Sequence, residues 1–378
     1  MVDSVSVEPV SSRTDRRQFI DLPYRFYRES RYWVPPLRMD VARILNERKN
    51  AFFEHGKLAA FLATDRDGEV VGRIAGIING MHLRKYADDI GFVGFFECVD
   101  DYPTAAALLD RATEWLRSRG MRAVRGPTNP SMNDTCGMLV DGFDSRPAVM
   151  MPYNPPFYPE FFERYGFSRA MTMWAYYVHR KYVDYDKLKR GVELVHRRNP
   201  GLKVRTLDMD RFGEDARILL DIYNEAWSRN WGHVPMTDAE FSHLAREMKP
   251  VVDPRIVFIV EHEGEPIAFS ISLPDMNQAL IHVPDGRLFP LGLPRLLARA
   301  KLGGITDIRT LLMGVRLKWQ GKGLDAILNL ATIEDGLDVG YSGAEMSWVL
   351  DSNPKLINSL VNIGSVKDKE YAMYEMDL

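Results

Sequence analysis

The chain has 378 residues, more than one ordinary domain and enough for two, each able to bury a full core. Its 49 basic and 52 acidic residues leave a net charge of −3, which gives no overall electrostatic drive toward nucleic acid or an anionic membrane. Two cysteines, Cys98 and Cys136, exclude a disulfide framework, and no Cys/His cluster has metal-ligand spacing.

The first residues lack a basic segment followed by an apolar one, and no apolar run approaches the roughly 20 residues of a spanning helix. A cytoplasmic protein with no membrane partner is expected. In the first half, residues 58–64 meet Asp65-Arg66-Asp67-Gly68 and continue as the apolar run 70–78, a hairpin pattern. An apolar strand follows at 90–99. A helix is then predicted from Pro103 to about Arg119, with Ala107, Leu108, Ala112, Trp115 and Leu116 at helical spacing.

Residues 126–137 are long, polar and poor in helix formers. They read either as a surface loop that uses Pro, Asn and Gly for turns or as the lining of a groove that offers Asn129, Asn133 and Asp134 to a polar acceptor. Tyr153, in the aromatic and proline-rich block 151–158, joins these candidates. Asn154-Pro155 opens a helix that ends near Gly166, and an aromatic strand over 172–179 closes the half. A charged stretch, 184–198, ends in Asn199-Pro200-Gly201 and marks a boundary at 182–202.

The second half repeats the order, which decides architecture before any local reading. A helix ends in 223–233, where Trp227 shares a face with Leu220 and Tyr223 while Asn230, Trp231 and His233 lie beyond it. Residues 256–260 and 266–273 form a hairpin around Glu261-His262-Glu263-Gly264. An insertion follows, and its segment 293–301 reads as a basic amphipathic helix that packs on the sheet, makes a dimer contact or gates a groove. The strand 310–315 then runs into Gln320-Gly321-Lys322-Gly323-Leu324 and a helix over 325–337. Glycines at this junction let the backbone approach an anion, and the helix N-terminus offers unpaired N–H groups and partial positive charge. A strand at 344–350, an Asn353-Pro354 helix ending at Gly364 and a strand at 371–376 complete the half. Where the second half has Gln320 to Gly323, the first has Asp100-Asp101-Tyr102-Pro103, whose carboxylates would repel a pyrophosphate.

The turn resembles the acyl-CoA pyrophosphate turn of the GNAT acyltransferase superfamily, Q/R-x-x-G-x-G/A after a strand, with Asp325 where the last small residue would stand. The superfamily also places an asparagine after its fifth strand and a glycine eleven residues later, a spacing kept by Asn353 and Gly364. The resemblance covers nearly the whole chain. It implies an α/β (α+β mixed) fold of two tandem GNAT-like domains, each a mixed central sheet flanked by helices: residues 1–181, lacking the turn; a helical linker, 182–202; and 203–378, carrying it. Mycothiol synthase, N-myristoyltransferase and the Fem-type peptidyltransferases resemble this layout.

The same resemblance implies an acyltransferase that uses acetyl-CoA or another acyl-CoA, held by Gly314, Val315, Gln320, Gly321, Lys322, Gly323, Leu324 and Asn353. The acceptor would be a small-molecule amine, met by Asn230, Trp231 and His233. Glu345 and His262 are the acid–base candidates on strands of the second half. Where the superfamily has a tyrosine that protonates the departing thiolate, this chain has Leu360, so Tyr374 or water would have to substitute. Two alternatives stay open: a catalytically silent tandem that senses acyl-CoA or serves as an interaction module, and a Fem-like aminoacyl transferase.

Overall fold

The computed structural model describes residues 5–378, the side chain of Lys301 excepted. The first four residues, which enter the export reading, lie outside the described residues. The chain forms two compact units: residues up to 173 with 280–296 and 369–378, and residues 174–279 with 297–368.

Up to residue 173 the order is β1 (Ser6–Pro9), α1 (Arg13–Phe26), α2 (Arg38–Ile44), β2 (Lys57–Thr64), β3 (Val70–Ile78), α3 (Gly80–Tyr86), β4 (Ile90–Cys98), α4 (Tyr102–Arg117), β5 (Ala123–Gly126), β6 (Thr128–Asn129), β7 (Thr135–Cys136), β8 (Met138–Asp141), α5 (Phe157–Tyr165) and the start of β9 (Ser168–His179). There follow α6 (Tyr185–Arg198), β10 (Leu202–Thr206), α7 (Phe212–Ala226), α8 (Asp238–Met248), β11 (Val257–His262), β12 (Glu265–Pro274), α9 (Asn277–Leu280), α10 (Gly292–Lys301), β13 (Asp307–Val315), α11 (Leu324–Asp338), β14 (Gly343–Leu350), α12 (Pro354–Asn362) and β15 (Val366–Asp377).

In the first unit the strands lie in the order β1-β2-β3-β4-β5-β15, with β8 also on β15. β3 and β4 are near-continuous apolar runs because both faces are covered. Phe61, Ile74, Val93 and Phe96 pack with Leu108 of α4 and Phe162 of α5 on one face. Phe19 of α1 packs with Leu62, Ile77, Phe92 and Phe95 on the other. In the second unit the order is β9-β14-β13-β12-β11-β10. Val192 and Val195 of α6 and Leu328 of α11 cover Phe258 and Val260 on one face, while Leu219 and Ile222 of α7 cover Ile259 and Phe269 on the other.

The division differs from a single cut at 182–202. Residues 174–179 of β9 belong to the second unit, and the last ten residues belong to the first, where β15 pairs antiparallel with β5 through Tyr374↔Gly126 and Met376↔Val124. Each half thus lends its closing strand to the other's unit. Local pattern cannot reveal this, because both closing strands are 12-residue runs with aromatic residues and either could fill a sheet edge. Helix α6 is likewise part of the second unit, tied to α11 by a Lys189–Glu334 ion pair of 2.9 Å. The insertion is also divided, and its residues 280–296 join the first unit. There the Arg38 N–H donates to the Gly286 carbonyl at 2.9 Å, and the Arg38 guanidinium lies over the Tyr24 ring.

Among the described residues no helix is long and apolar enough to cross a membrane, and no group of three or more His, Cys, Asp or Glu could hold a metal ion.

Candidate active site

The second unit opens where β13 and β14 part. They pair in parallel from Asp307↔Gly343 to Thr310↔Met346, and residues 311–315 of β13 run on without that partner. On its other side β13 stays paired with β12, with a register shift between Ile271 and Ser272. The indole N–H of Trp227, at the end of α7, donates to the Met313 carbonyl at 3.1 Å. Trp227 also packs beside Tyr223, as its helical face implied.

The end of β13 is clamped. Arg316 pairs with Glu225 at 2.6 Å and Asp221 at 2.5 Å, both on α7, and the Leu317 N–H donates to Glu225 at 2.9 Å. From this point the chain turns through Gly321 (φ 75°) and Gly323 (φ 84°), left-handed conformations that favour glycine. A Cβ on Gly323 would also lie 2.6 Å from Val195 Cγ2 of α6. The main-chain N–H groups of residues 321–325 meet no acceptor among the described residues. They stand at the N-terminus of α11, which no side chain caps. Asp325 does not fill this place, because its carboxylate accepts from Ser359 Oγ at 2.6 Å. Lys322 Nζ lies 4.0 Å from the centre of the Trp319 ring, and the other neighbour of that indole is His262, ring to ring at 4.8 Å.

These features fit the diphosphate of an acyl-CoA: free amides, a positive helix end, a lysine and no blocking carboxylate. Replacing Trp319, which is only 6% exposed and packs in the core with Leu324, with phenylalanine keeps a smaller aromatic face for Lys322 and is expected to weaken CoA binding by no more than about threefold, in line with roughly 0.5–1 kcal/mol for a cation–π contact; isothermal titration would read it.

The remaining candidates take distinct places. Gly314 pairs with Phe269, whose ring covers it, and the Val315 carbonyl accepts from Gln320 Nε2 at 3.2 Å. Leu324 is buried in the core under the turn. Asn353 caps α12, accepting from the Leu356 N–H at 3.2 Å. His262 is bound to the Pro200 carbonyl at 3.1 Å, so it braces Trp319. Glu345, only 5% exposed, accepts from Ser347 Oγ at 2.7 Å. Ser347 Oγ in turn accepts from Nε of the fully buried Arg309 at 3.0 Å, and Arg309 stands opposite Glu345 in register. This polar group sits one residue before the strands part. Leu360 is buried, and His233 packs on Tyr223. The Asn230 N–H donates to the Trp227 carbonyl at 2.9 Å, and Trp231 follows it in the same connection before α8.

The first unit places its candidates differently. Asn129 Oδ1 accepts from the Phe95 N–H at 2.6 Å, beside a backbone bulge where Phe95 has φ 52°. A Cβ on Gly94 would overlap the Thr128 carbonyl. Loop 126–137 therefore fills the place along β4 that is open along β13. Asn133 and Asp134 fold back on Ser131, at 3.1 and 3.0 Å, and Tyr153 donates to the Phe143 carbonyl at 3.3 Å. The N-terminus of α4 is satisfied by Asp101, which accepts from the Thr104 N–H at 3.1 Å. Tyr374 belongs to this unit and donates to Glu163 at 3.1 Å; burial pushes its phenol up to about 12.

One buried cluster was missed in the sequence. Glu97 Oε2 accepts from Tyr27 at 2.7 Å and Tyr158 at 2.9 Å, and Arg73 lies 3.7 Å from Glu97 Oε1. Its signal was present: Arg73 and Glu97 are single charges of opposite sign in adjacent apolar strands, and they pair in register. Burial raises the Glu97 carboxyl above its usual range, with Arg73 and the two phenols acting against it. The native state therefore holds this proton more tightly than the unfolded chain, and the contribution is complete below about pH 4.3 and lost as pH rises through the raised native value. Glu97→Gln is expected to flatten the decline of Tm across that window, as thermal melts at stepped pH would show.

No family model matches the chain. It is 32% identical to Protein YghO of Escherichia coli over 372 residues, 97% of this chain and 94% of that one. It is 34% identical to the bacterial ceramide synthase of Caulobacter vibrioides over 383 residues, 99% of this chain and 98% of the other. Among solved structures, a tandem GNAT protein from the clavulanic acid biosynthesis pathway matches 99% of this chain and 98% of its own, with a TM-score of 0.59 at 13% identity. A GCN5-related glucosamine N-acetyltransferase region of a fungal multi-domain GH3 β-N-acetylglucosaminidase also has a TM-score of 0.59, at 15% identity, matching 99% of this chain and 38% of that one. At such identities these structures show the fold, which is that of a tandem GNAT protein. The chain belongs to the family that includes Protein YghO and the Caulobacter ceramide synthase.

Proposed function

We propose that the chain is an acyl-CoA-dependent N-acyltransferase whose second unit binds the donor. The observation that carries this reading is the set of unpartnered amides at 321–325, set at the N-terminus of α11 beside the unpaired stretch of β13. Gln320, Gly321, Lys322 and Gly323 would hold the diphosphate, and the free edge of residues 311–315 would pair with the amide-bearing arm. When bound, the thioester supplies an activated acyl group. The name of the Caulobacter relative supports an amine acceptor, since a ceramide is an amide of an amino alcohol.

Glu345 is the residue we assign to proton removal from the amine, because it is a buried carboxylate oriented by Ser347 where the strands part. A main-chain N–H near Gly314 or Val315 would face the developing oxyanion. Asn230, Trp231 and His233, in the connection between α7 and α8, are assigned to the acceptor. The thiolate would take its proton from water, since Tyr374 is committed to Glu163. Tyr374→Phe is accordingly expected to leave kcat within about threefold and to cost about 1 kcal/mol of stability, the worth of one hydrogen bond. Steady-state kinetics beside a denaturant titration would separate the two.

The direct test is calorimetric titration of CoA into the purified chain, followed by a mass-spectrometric search for amide products over a panel of amines. Tight CoA binding without product from any amine would favour a sensor over an enzyme. Absence of CoA binding would remove the reading.

A further inference from the structure

The insertion between β12 and β13 carries large apolar side chains where they meet water. Twelve such side chains are exposed among the described residues, and four of them, Phe289, Leu291, Leu297 and Leu302, lie between residues 289 and 302, so the exposure is concentrated in one place. Phe289 is 73% exposed and Leu302 84%. Main-chain contacts fix the course of the loop that leads into α10. The Gly286 carbonyl accepts from the Arg38 N–H at 2.9 Å, the Leu293 N–H donates to the Leu288 carbonyl at 2.5 Å, and a Cβ on Gly292 would overlap the Arg287 carbonyl. Phe289 and Leu291 are therefore held out to solvent on a braced backbone.

Helix α10 continues the pattern. Leu293, Leu296 and Ala300, spaced by three and four, are half-buried, while Leu291, Arg295, Ala298 and Leu302, spaced by four, three and four, form an exposed stripe. Helical bonds from the Arg295 N–H to the Leu291 carbonyl and from the Leu302 N–H to the Ala298 carbonyl carry the spacing to both ends. The stripe is apolar and cationic at once. From residue 286 to residue 306 the chain has no acidic residue, but it has Arg287, Arg295, Arg299 and Lys301. Arg295 and Arg299 stand four apart on a helix, where like charges repel, and none of the three arginines forms an ion pair among the described residues. The net charge of −3, which gives no drive toward an anionic membrane, averages this local excess away.

We propose that residues 286–302 dock the protein on the surface of an anionic lipid bilayer, with Phe289, Leu291, Leu297 and Leu302 entering the headgroup layer and the arginines meeting lipid phosphates. Charge complementarity selects this occupant. The core of a protein–protein interface is depleted of charge, and burying Arg295 and Arg299 there would demand acidic partners in matching places. A headgroup layer accepts apolar side chains at its inner boundary and offers phosphates at its outer one, and long arginine stems reach back to them. The proposal does not draw on the cradle reading, and it makes the association peripheral.

Co-sedimentation of the full chain with phosphatidylcholine vesicles, with and without about 30% phosphatidylglycerol, tests it. Binding to the anionic vesicles is expected to be at least tenfold tighter than to the neutral ones and to fall at least tenfold between about 50 and 500 mM KCl, as screening shortens the reach of the arginines. The pair Phe289→Ser and Leu291→Ser and the pair Arg295→Gln and Arg299→Gln are each expected to weaken it at least tenfold. Val361→Ser with Val366→Ser, which removes apolar side chains exposed elsewhere, should leave it within twofold. Thermal melts verify that each variant is folded. Absence of binding to the anionic vesicles would overturn the proposal, as would binding that survives both of the first two pairs. Self-association in sedimentation velocity that is lost with Phe289→Ser and Leu291→Ser, without vesicle binding, would make the stripe a contact between copies of the chain and overturn it too.

Discussion

Gly323→Val is expected to raise the Kd for CoA by about a hundredfold, close to 2.8 kcal/mol at 1.4 kcal/mol per decade. Two costs combine. The left-handed backbone at Gly323 penalises any L side chain by roughly 1–2 kcal/mol and a β-branched one more. The new Cβ would also stand 2.6 Å from Val195 Cγ2, pressing α6 away from α11 or the turn away from α6. Gly321→Ala isolates the first cost, since its backbone is left-handed too but no atom lies within 4 Å of an added Cβ. Its expected loss is about tenfold. Calorimetry with CoA gives both numbers, and far-ultraviolet circular dichroism verifies that the variants are folded. If Gly323→Val bound CoA as the parent does, the turn would not be the diphosphate site.

Glu345→Gln is expected to lower kcat by about 10² to 10⁴, the usual worth of a positioned general base, while the Kd for CoA stays within about twofold. Glutamine can still accept the Ser347 hydrogen bond, so the local geometry has reason to persist. What is lost is the negative charge opposite the fully buried Arg309, and a stability loss of roughly 1–3 kcal/mol is expected for leaving charged hydrogen-bonding groups poorly matched. A fall in kcat without change in KM for the donor would assign Glu345 to the chemical step. Unchanged kcat with a lowered Tm would make the Arg309–Ser347–Glu345 group a structural bridge between two parting strands.

Much of this site could be read along the chain because its parts are local. The glycines, the lysine and the start of α11 are neighbours in sequence, so their spacing alone states what backbone they form. The Asn353 cap and the apolar hairpins are legible for the same reason. The roles of His262 and Asn129 were not. His262 read as an acid–base candidate on a strand and Asn129 as a polar residue lining a groove, and the structure shows His262 bracing Trp319 and Asn129 closing off the Phe95 amide. Whether a polar side chain meets solvent, substrate or its own backbone depends on partners brought from 34 or more residues away. Arg73 and Glu97 carried a sharper signal, single charges within apolar strands, because a buried charge is retained only beside a compensating group.

The sequence by itself determined the two-fold repeat, the order of strands and helices in each half and the presence of a two-glycine turn ahead of a helix, after the strand that follows the hairpin, in only one of them. These follow from periodicity and turn chemistry, which act over a few residues. Tertiary structure alone decided that the closing strands are exchanged, that α6 lies against the turn through Val195 and that loop 126–137 fills the first unit's place along β4. These depend on which edge or face a segment finds once the chain is compact. Edges of equivalent strands offer the same hydrogen bonds, so only the packing of the whole chain selects among them.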